Sequence, residues 1–284
     1  SNNSFDKDFD KLYIENYSYG TIIKIPGGFN TDNLYNWVKI IKPDIVHTQG
    51  HRRFDIIETI SKLRIPILSG YHFWSGLIDL HPKTFNSNIL ENIKSHKRDG
   101  EFIKINNNSF VTSYVCSDFM KDVVNTIYNS DLPVMYASSN KDDIYVKINP
   151  CKNKFITQVN IHKLKGGEIF HHLLENTKFP YIGIKTEPNS GDLDSKITDV
   201  IKIRNNESII LDHTSNIKNI YKVTRILLVP SIVDETFCRV INEGMMNGIP
   251  IITTGAGNIK YLVGESAIIL PQNPTEWIDT INKL

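Results

Sequence analysis

The sequence predicts an α/β protein of two doubly wound domains, each built on a parallel sheet. Three observations carry that expectation. A chain of 284 residues is too long for one small core, since a domain typically takes about 100 to 200 residues. Short β-branched runs alternate with helical patterns in both halves, and repeated strand-helix-strand units imply parallel pairing. Around residues 140–154 the chain turns polar and charged, with Pro150 inside the stretch, before the alternation restarts at Phe155. The boundary is placed there, giving domains 1-150 and 151-284.

Strands are expected over 21–25, 44–48, 66–70 and 109–117 in the first domain. Between them, 31–42 reads as a helix: a Thr-Asp-Asn start, apolar Leu34, Trp37, Val38 and Ile41 at helical spacing, and Pro43 as a stop. A second helix covers 55–63. The second domain repeats the scheme with strands over 155–159, 181–185, 200–203, 208–211, 226–230, 251–254 and 267–270. In open sheets of this kind ligands bind beyond the carboxyl ends of the strands. The loops after Val159, Pro230 and Thr254 are therefore where chemistry is sought.

Composition narrows the function. Lysine plus arginine (32) nearly balances aspartate plus glutamate (31), so no long-range positive field gathers nucleic acid, and any anion site must be local. Cys116, Cys151 and Cys238 are odd in number, far apart and without paired metal-ligand spacing, which fits a reducing, cytoplasmic setting. The longest apolar runs, 225–230 and 266–271, are far shorter than the roughly 20 residues of a spanning helix. Residues 1–10 are polar and lack a signal core, so they read as a frayed end and predict no secretory route.

The strand over 226–230 leads through Ser231 to Cys238 into a helix expected to start near Thr236, to show Phe237, Val240, Ile241 and Met245 to the core, and to close at Gly248 in the left-handed conformation. Free N–H groups and the dipole at the amino end make a local anion site suited to a diphosphate. Glu235 lies before this helix and Glu243 a little over two turns along it, so both can address one ligand, and a carboxylate accepts from vicinal hydroxyls. The strand over 251–254 runs into Gly255-Ala256-Gly257-Asn258, where small residues permit close backbone approach to a ligand. After the strand over 155–159, Lys165 precedes another helix, placed to neutralise a leaving diphosphate.

These residues resemble glycosyltransferase family 4, whose donor domains carry two glutamates separated by seven residues, then a small-residue helix and a Gly-hydrophobic-Pro step. Glu235, Glu243, Gly248 and Pro250 match that pattern. The resemblance implies the GT-B fold of two Rossmann-like domains, the acceptor on the first and a nucleotide-sugar donor on the second. It implies that Glu243 holds the ribose hydroxyls and Glu235 the transferred sugar, and that Lys165-Gly166 takes the phosphates. The family often has an arginine where this chain has Asn160, with His162 or Lys163 as stand-ins for the lost charge. His72, after the strand over 66–70, matches a histidine found near the donor sugar.

The implied reaction is retaining transfer of a sugar from a nucleoside diphosphate to an acceptor hydroxyl, without a catalytic metal and with no cofactor beyond the nucleotide sugar. The donor-binding set is then Asn160, Lys165, Gly166, Glu235, Thr236, Phe237, Cys238, Glu243, Gly255 and Gly257, with His72, Lys165 and Glu235 catalytic. The acceptor class is left open. His47 and His51 lack the spacing of a zinc motif and are assigned to the acceptor side. Asp192-Leu193-Asp194 reads as a solvated loop, Cys238 as a packing residue, and Ser117-Asp118 as structural. No Gly-x-Gly-x-x-Gly follows a strand, against a nicotinamide dehydrogenase.

The family's first strand and glycine loop lack a counterpart, Pro26-Gly27-Gly28 being a poor substitute, and Leu284 precedes the helix that crosses back. The N-terminal domain is thus expected to be shortened. Two alternatives follow, a truncated or inactive donor-binding module that partners another transferase, and a GT-B sugar-nucleotide epimerase.

Overall fold

The computed structural model describes residues 13–18, 20–24, 30–50, 53–74, 77, 100–185, 192–204, 206–214 and 216–283. Residues 1–10, Pro26-Gly27-Gly28 and His51 lie outside these. The described residues pack as two compact units. The first takes those up to Tyr71, with Leu77 and 100–114; the second takes His72–Trp74 and everything from Val115 onward.

In the first unit β1 (Tyr13–Tyr17) and β2 (Gly20–Lys24) form an antiparallel hairpin with Tyr17 opposite Gly20. The strand expected over 21–25 is therefore not part of a parallel sheet. The hairpin connection is too short to permit anything but antiparallel pairing. A separate sheet has the order β3 (Val46–Gln49), β4 (Ile67–Tyr71), β5 (Val111–Val115), with β3 and β4 parallel.

Helix α1 (Thr31–Ile41) is capped one residue earlier than the sequence suggests, by Asn30, whose side chain accepts from the N–H groups of Asp32 and Asn33. Lys42 then turns left-handed and Pro43 prevents continuation. Val38 of α1, Ile57 and Ile60 of α2 (Arg53–Ser61) and Ile105 of α3 (Gly100–Asn106) bury against Ile67.

The second unit begins upstream of residue 150 in packing terms. After α4 (Asp118–Tyr128), α5 (Lys141–Ile144) buries Ile144 beside Tyr221, Leu227 and Ile241. The buried Asn247 holds this strap by donating to Ile144 O and accepting from Val146 N. The polar composition of the stretch concealed two apolar anchors, Ile144 and Val146.

Six strands follow: β6 (Phe155–Val159), β7 (Tyr181–Ile184), β8 (Ile209–Leu211), β9 (Thr224–Val229), β10 (Ile251–Thr253) and β11 (Ile268–Ile269). All pair in parallel, in the spatial order β11-β10-β9-β6-β7-β8. Read from β6, this is the 3-2-1-4-5-6 order of a dinucleotide-binding sheet, whose direction of winding reverses between its first and fourth strands. Here those are β6 and β9.

Alternate strand residues serve opposite faces. Ile226 and Leu228 face α6 (Gly167–Asn176), α7 (Asp192–Ile203) and α11 (Pro274–Asn282), which contribute Phe170, Ile197 and Trp277. Leu227 and Val229 face α8 (Ile217–Tyr221), α9 (Arg239–Met246) and α10 (Ile259–Val263). With both faces covered, the strands read as continuous apolar runs.

Two expectations are corrected in this unit. The strand over 200–203 is the last turn of α7, because Leu193, Ile197, Val200 and Ile201 lie at helical spacing and meet the core together. Asp192 and Asp194 are not in a loop but in the first turn of that helix, where acidic side chains suit the dipole, and Asp194 is buried.

Candidate functional site

The site lies over the carboxyl ends of β6 and β9, at the winding reversal, where neighbouring loops leave in opposite directions and open a crevice. From β6 the chain passes Asn160, in the left-handed region (φ 69°), and a 3-10 turn over Lys163–Lys165, then Gly166 at φ 79° before α6. Gln158, buried at the strand end, ties this loop down by donating to the carbonyls of Asn160 and Lys165. From β9 the chain passes Pro230, Ser231 and the irregular stretch to Cys238 before α9.

The two loops are joined by charge. Lys165 Nζ donates to Glu235 Oε1 at 2.5 Å, and the same oxygen accepts from Ser231 Oγ at 2.6 Å. Only 12% of the Glu235 side chain is exposed, so the pair is shielded from solvent more than a surface ion pair. Glycines make the approach possible. A Cβ on Gly166 would stand 2.1 Å from Pro230 O, and one on Gly257 would stand 2.5 Å from both Glu235 N and Glu235 O. The space those glycines leave is filled by protein backbone, and Glu235 and Gly257 form an isolated parallel bridge. Gly255 is also left-handed, at φ 71°. Asn258, next in the loop, donates its N–H to Glu235 O and its side-chain amide to Phe237 O.

Helix α9 starts at Arg239 and not near Thr236. The intervening residues are tethered outside the helix. Thr236 Oγ1 donates to His72 O at 2.8 Å, Thr236 O accepts from Ser117 Oγ at 2.5 Å, and Cys238 turns left-handed at φ 68°. Ser117 also caps α4 by accepting from Met120 N, so its structural assignment holds. Phe237 is buried, and its carbonyl accepts from the buried Asn258. Met245, expected in the core, is exposed, and Ile241 and Gly244 take the inner face instead. Gly248 does close the helix with positive φ.

Glu243 is held differently. Its Oε2 accepts from the hydroxyl of the fully buried Tyr221 at 2.6 Å. Burial, the charge of Glu243 and that hydrogen bond all push the Tyr221 phenol far up, so it stays protonated and remains a donor. The Cys238 thiol is likewise pushed up, chiefly by burial and then by the Glu235 carboxylate, with Lys165 opposing and Glu243 contributing. Those four residues thus share one electrostatic neighbourhood. A thiol so disfavoured as thiolate is a packing group and no nucleophile.

His162 caps the 3-10 turn through Nδ1 at 3.1 Å from Leu164 N, and Lys163 reaches Glu168 at 3.4 Å on the surface. Both candidate stand-ins for an arginine at position 160 are engaged elsewhere. In the first unit His47 Nε2 bonds Tyr114 Oη at 2.7 Å. No group of three or more potential ligands that could hold a metal occurs among the described residues. Ser231, Gln158, Asn258 and Tyr221 escaped the sequence reading. Ser231, four residues before Glu235, and Asn258, at the end of the Gly255–Gly257 loop, lay where a loop search would meet them; Gln158 and Tyr221 act from strand and helix positions that pattern alone does not mark.

Residues 168–284 match the family model of the group 1 glycosyl transferases. Asn160 and Lys165 lie just outside the match. No curated protein matches the chain in sequence. Among solved structures, the Anabaena HepE protein in complex with UDP and glucose is similar at 16% identity and a TM-score of 0.68, covering 89% of this chain and 70% of that one. A glycosyltransferase from Rickettsia africae is similar at 17% identity and a TM-score of 0.65, covering 89% of this chain and 69% of that one. Sucrose-phosphate synthase from Thermosynechococcus elongatus follows at 14% identity and a TM-score of 0.66, covering 95% of this chain and 75% of that one. The fold is that of the GT-B glycosyltransferases. The match over residues 168–284 supports a glycosyltransferase.

Proposed function

We propose that this glycosyltransferase moves a sugar from a nucleoside diphosphate to an acceptor hydroxyl with retention of configuration, in the manner of family 4, and without a metal. The observation that carries the reading is the Lys165–Glu235 pair over the winding reversal. It sets a cation and a carboxylate at the place where an open sheet of this order takes a nucleotide. When a donor enters, the Lys165 ammonium turns to the diphosphate. The N–H groups at the start of α9, whose first turn has no side-chain cap, address the same anion. As the sugar-phosphate bond breaks, negative charge grows on the leaving diphosphate, and a fixed cation stabilises it most there.

In this reading Glu243 accepts from the ribose hydroxyls, and Glu235, released from Lys165, contacts the sugar. Asn160 and Gly166 line the phosphate side, Gly255 and Gly257 shape the loop, and Thr236, Phe237 and Cys238 contribute backbone. His72 has its carbonyl fixed by Thr236 and stands on the sugar side. Residues 1-150 serve the acceptor and 151-284 the donor. The free thiols of Cys116, Cys151 and Cys238 suit a reducing, cytoplasmic setting. No helix among the described residues is long and apolar enough to cross a membrane.

A thermal-shift screen with UDP, GDP, ADP and their common sugar conjugates tests the donor site, because a ligand bound by the folded state alone raises the midpoint. UDP comes first, since the similar HepE structure holds it. One nucleotide is expected to shift the wild-type protein and to lose its effect in Glu243→Ala. Absence of any shift would contradict the reading. Binding followed by no transfer would favour a donor-binding partner of another transferase, and product formed without acceptor would favour an epimerase.

A further inference from the structure

Tyr221 ends α8 with its ring fully buried beside Ile144, Leu227 and Ile241. A phenylalanine would fill that place equally well, so packing does not explain the hydroxyl. Buried phenols need an acceptor, and a backbone carbonyl would satisfy one. Here the hydroxyl reaches a partly exposed carboxylate, 22 residues away in sequence, at 2.6 Å. Among the described residues no other side chain bonds Glu243, so its Oε1 is left open. The backbone beneath is braced as well, since Asn247 donates its amide to Glu243 O.

We propose that Tyr221 is a positioning residue for the donor: it fixes the rotamer of Glu243 so that Oε1 is presented to the vicinal hydroxyls of the nucleotide ribose. The inference rests on the reading that Glu243 holds the ribose. An unheld glutamate samples several rotamers and loses that freedom on binding, whereas a held one has lost it already. The phenol acts on the sugar hydroxyls only through the carboxylate. It therefore contributes to affinity and to recognition of the 2′-hydroxyl, and makes no contact with the bond that breaks.

The test is calorimetric titration of UDP, GDP, ADP and the matching 2′-deoxynucleotides into wild type, Tyr221→Phe, Glu243→Ala and the double variant. Tyr221→Phe should weaken the preferred nucleotide by about five- to tenfold. It should also reduce the preference for the ribonucleotide over its 2′-deoxy form, a ratio that a purely structural role would not move. In the Glu243→Ala background the same substitution should cost less than about twofold, because coupled residues are not additive. Wild-type affinity and wild-type 2′-hydroxyl preference in Tyr221→Phe would overturn the inference, as would a full loss persisting without Glu243. If the wild-type protein binds none of the nucleotides, or Glu243→Ala binds as the wild type does, the ribose reading itself falls and the inference with it. That outcome does not involve Tyr221, so the two failures are told apart.

Discussion

Glu235 and Glu243 stand on one short stretch of chain yet are held by opposite means. The first sits in an irregular loop and is gripped by a cation, Lys165, and a hydroxyl, Ser231, from two sides of a crevice. The second sits on a helix and is gripped by a neutral phenol from the core. A cationic partner can be competed away by a more highly charged anion, so the Glu235 arrangement is suited to change when a diphosphate arrives. A buried neutral donor has no such competitor, so the Glu243 arrangement is suited to stay. The same residue type is thus set up once as an exchangeable contact and once as a fixed one.

Four experiments would break or sharpen that contrast. The largest effect is expected from Lys165→Ala, which should lower turnover about 100- to 1,000-fold, as removal of a charge-stabilising donor does, and should also lower stability by a few kcal/mol, because the shielded Glu235 carboxylate loses its cation. Unchanged turnover in a transfer assay would end the exchangeable-contact view. Next comes Gly257→Ala. A methyl group 2.5 Å from Glu235 backbone, at φ +60°, cannot be accommodated without moving the loop. A stability loss of roughly 3 kcal/mol by urea unfolding is expected. Because Glu243 is anchored elsewhere, nucleotide binding should survive better than in Glu243→Ala; an equal loss would show that the two carboxylates are not independent.

Ser231→Ala is a smaller change. It removes one hydrogen bond to a carboxylate and leaves the lysine, for about 1.5 kcal/mol of stability and a few-fold loss of turnover. The fourth test concerns the effect of alkali on the loop's support. Burial raises the Cys116 thiol from its usual 9.0 to about 11. Its contribution is complete below pH 9 and is lost between pH 9 and about 11, because the unfolded chain releases that proton first. Sulfur lies 3.5 Å from Thr236 O. Cys116→Ala should therefore flatten the fall in stability across that window, measured by denaturant midpoints; an unaltered slope would assign the fall to other groups.

Most of the parallel sheet was legible because strands buried on both faces appear as apolar runs closed by Gly or Pro, as at Pro230 after β9 and Gly255 after β10. Lys165, Glu235 and Glu243 were legible for a related reason: they follow strand ends or sit on the next helix. What escaped has two physical sources. Helical and extended readings of a short β-branched run differ only in what lies upstream, and around Val200 the upstream Leu193 reads as part of a solvated loop with Asp192 and Asp194. Tethers that cross the sequence, such as Thr236 to His72, have no local signature, so the start of α9 was misjudged by three residues. The antiparallel hairpin at Gly20 was missed because only half of it was recognised.

The sheet order also fixes when the site can exist. Lys165 and Glu235 are 70 residues apart, and β6 meets β9 only after β7 and β8 have been placed on its other side or set aside. Pairing over such separations is slow, since loop closure must precede any gain. During synthesis the lysine emerges first and waits for a carboxylate still to be translated. Nucleotide binding is consequently a late event in folding, and its recovery after dilution from urea should track the slowest phase that restores native structure.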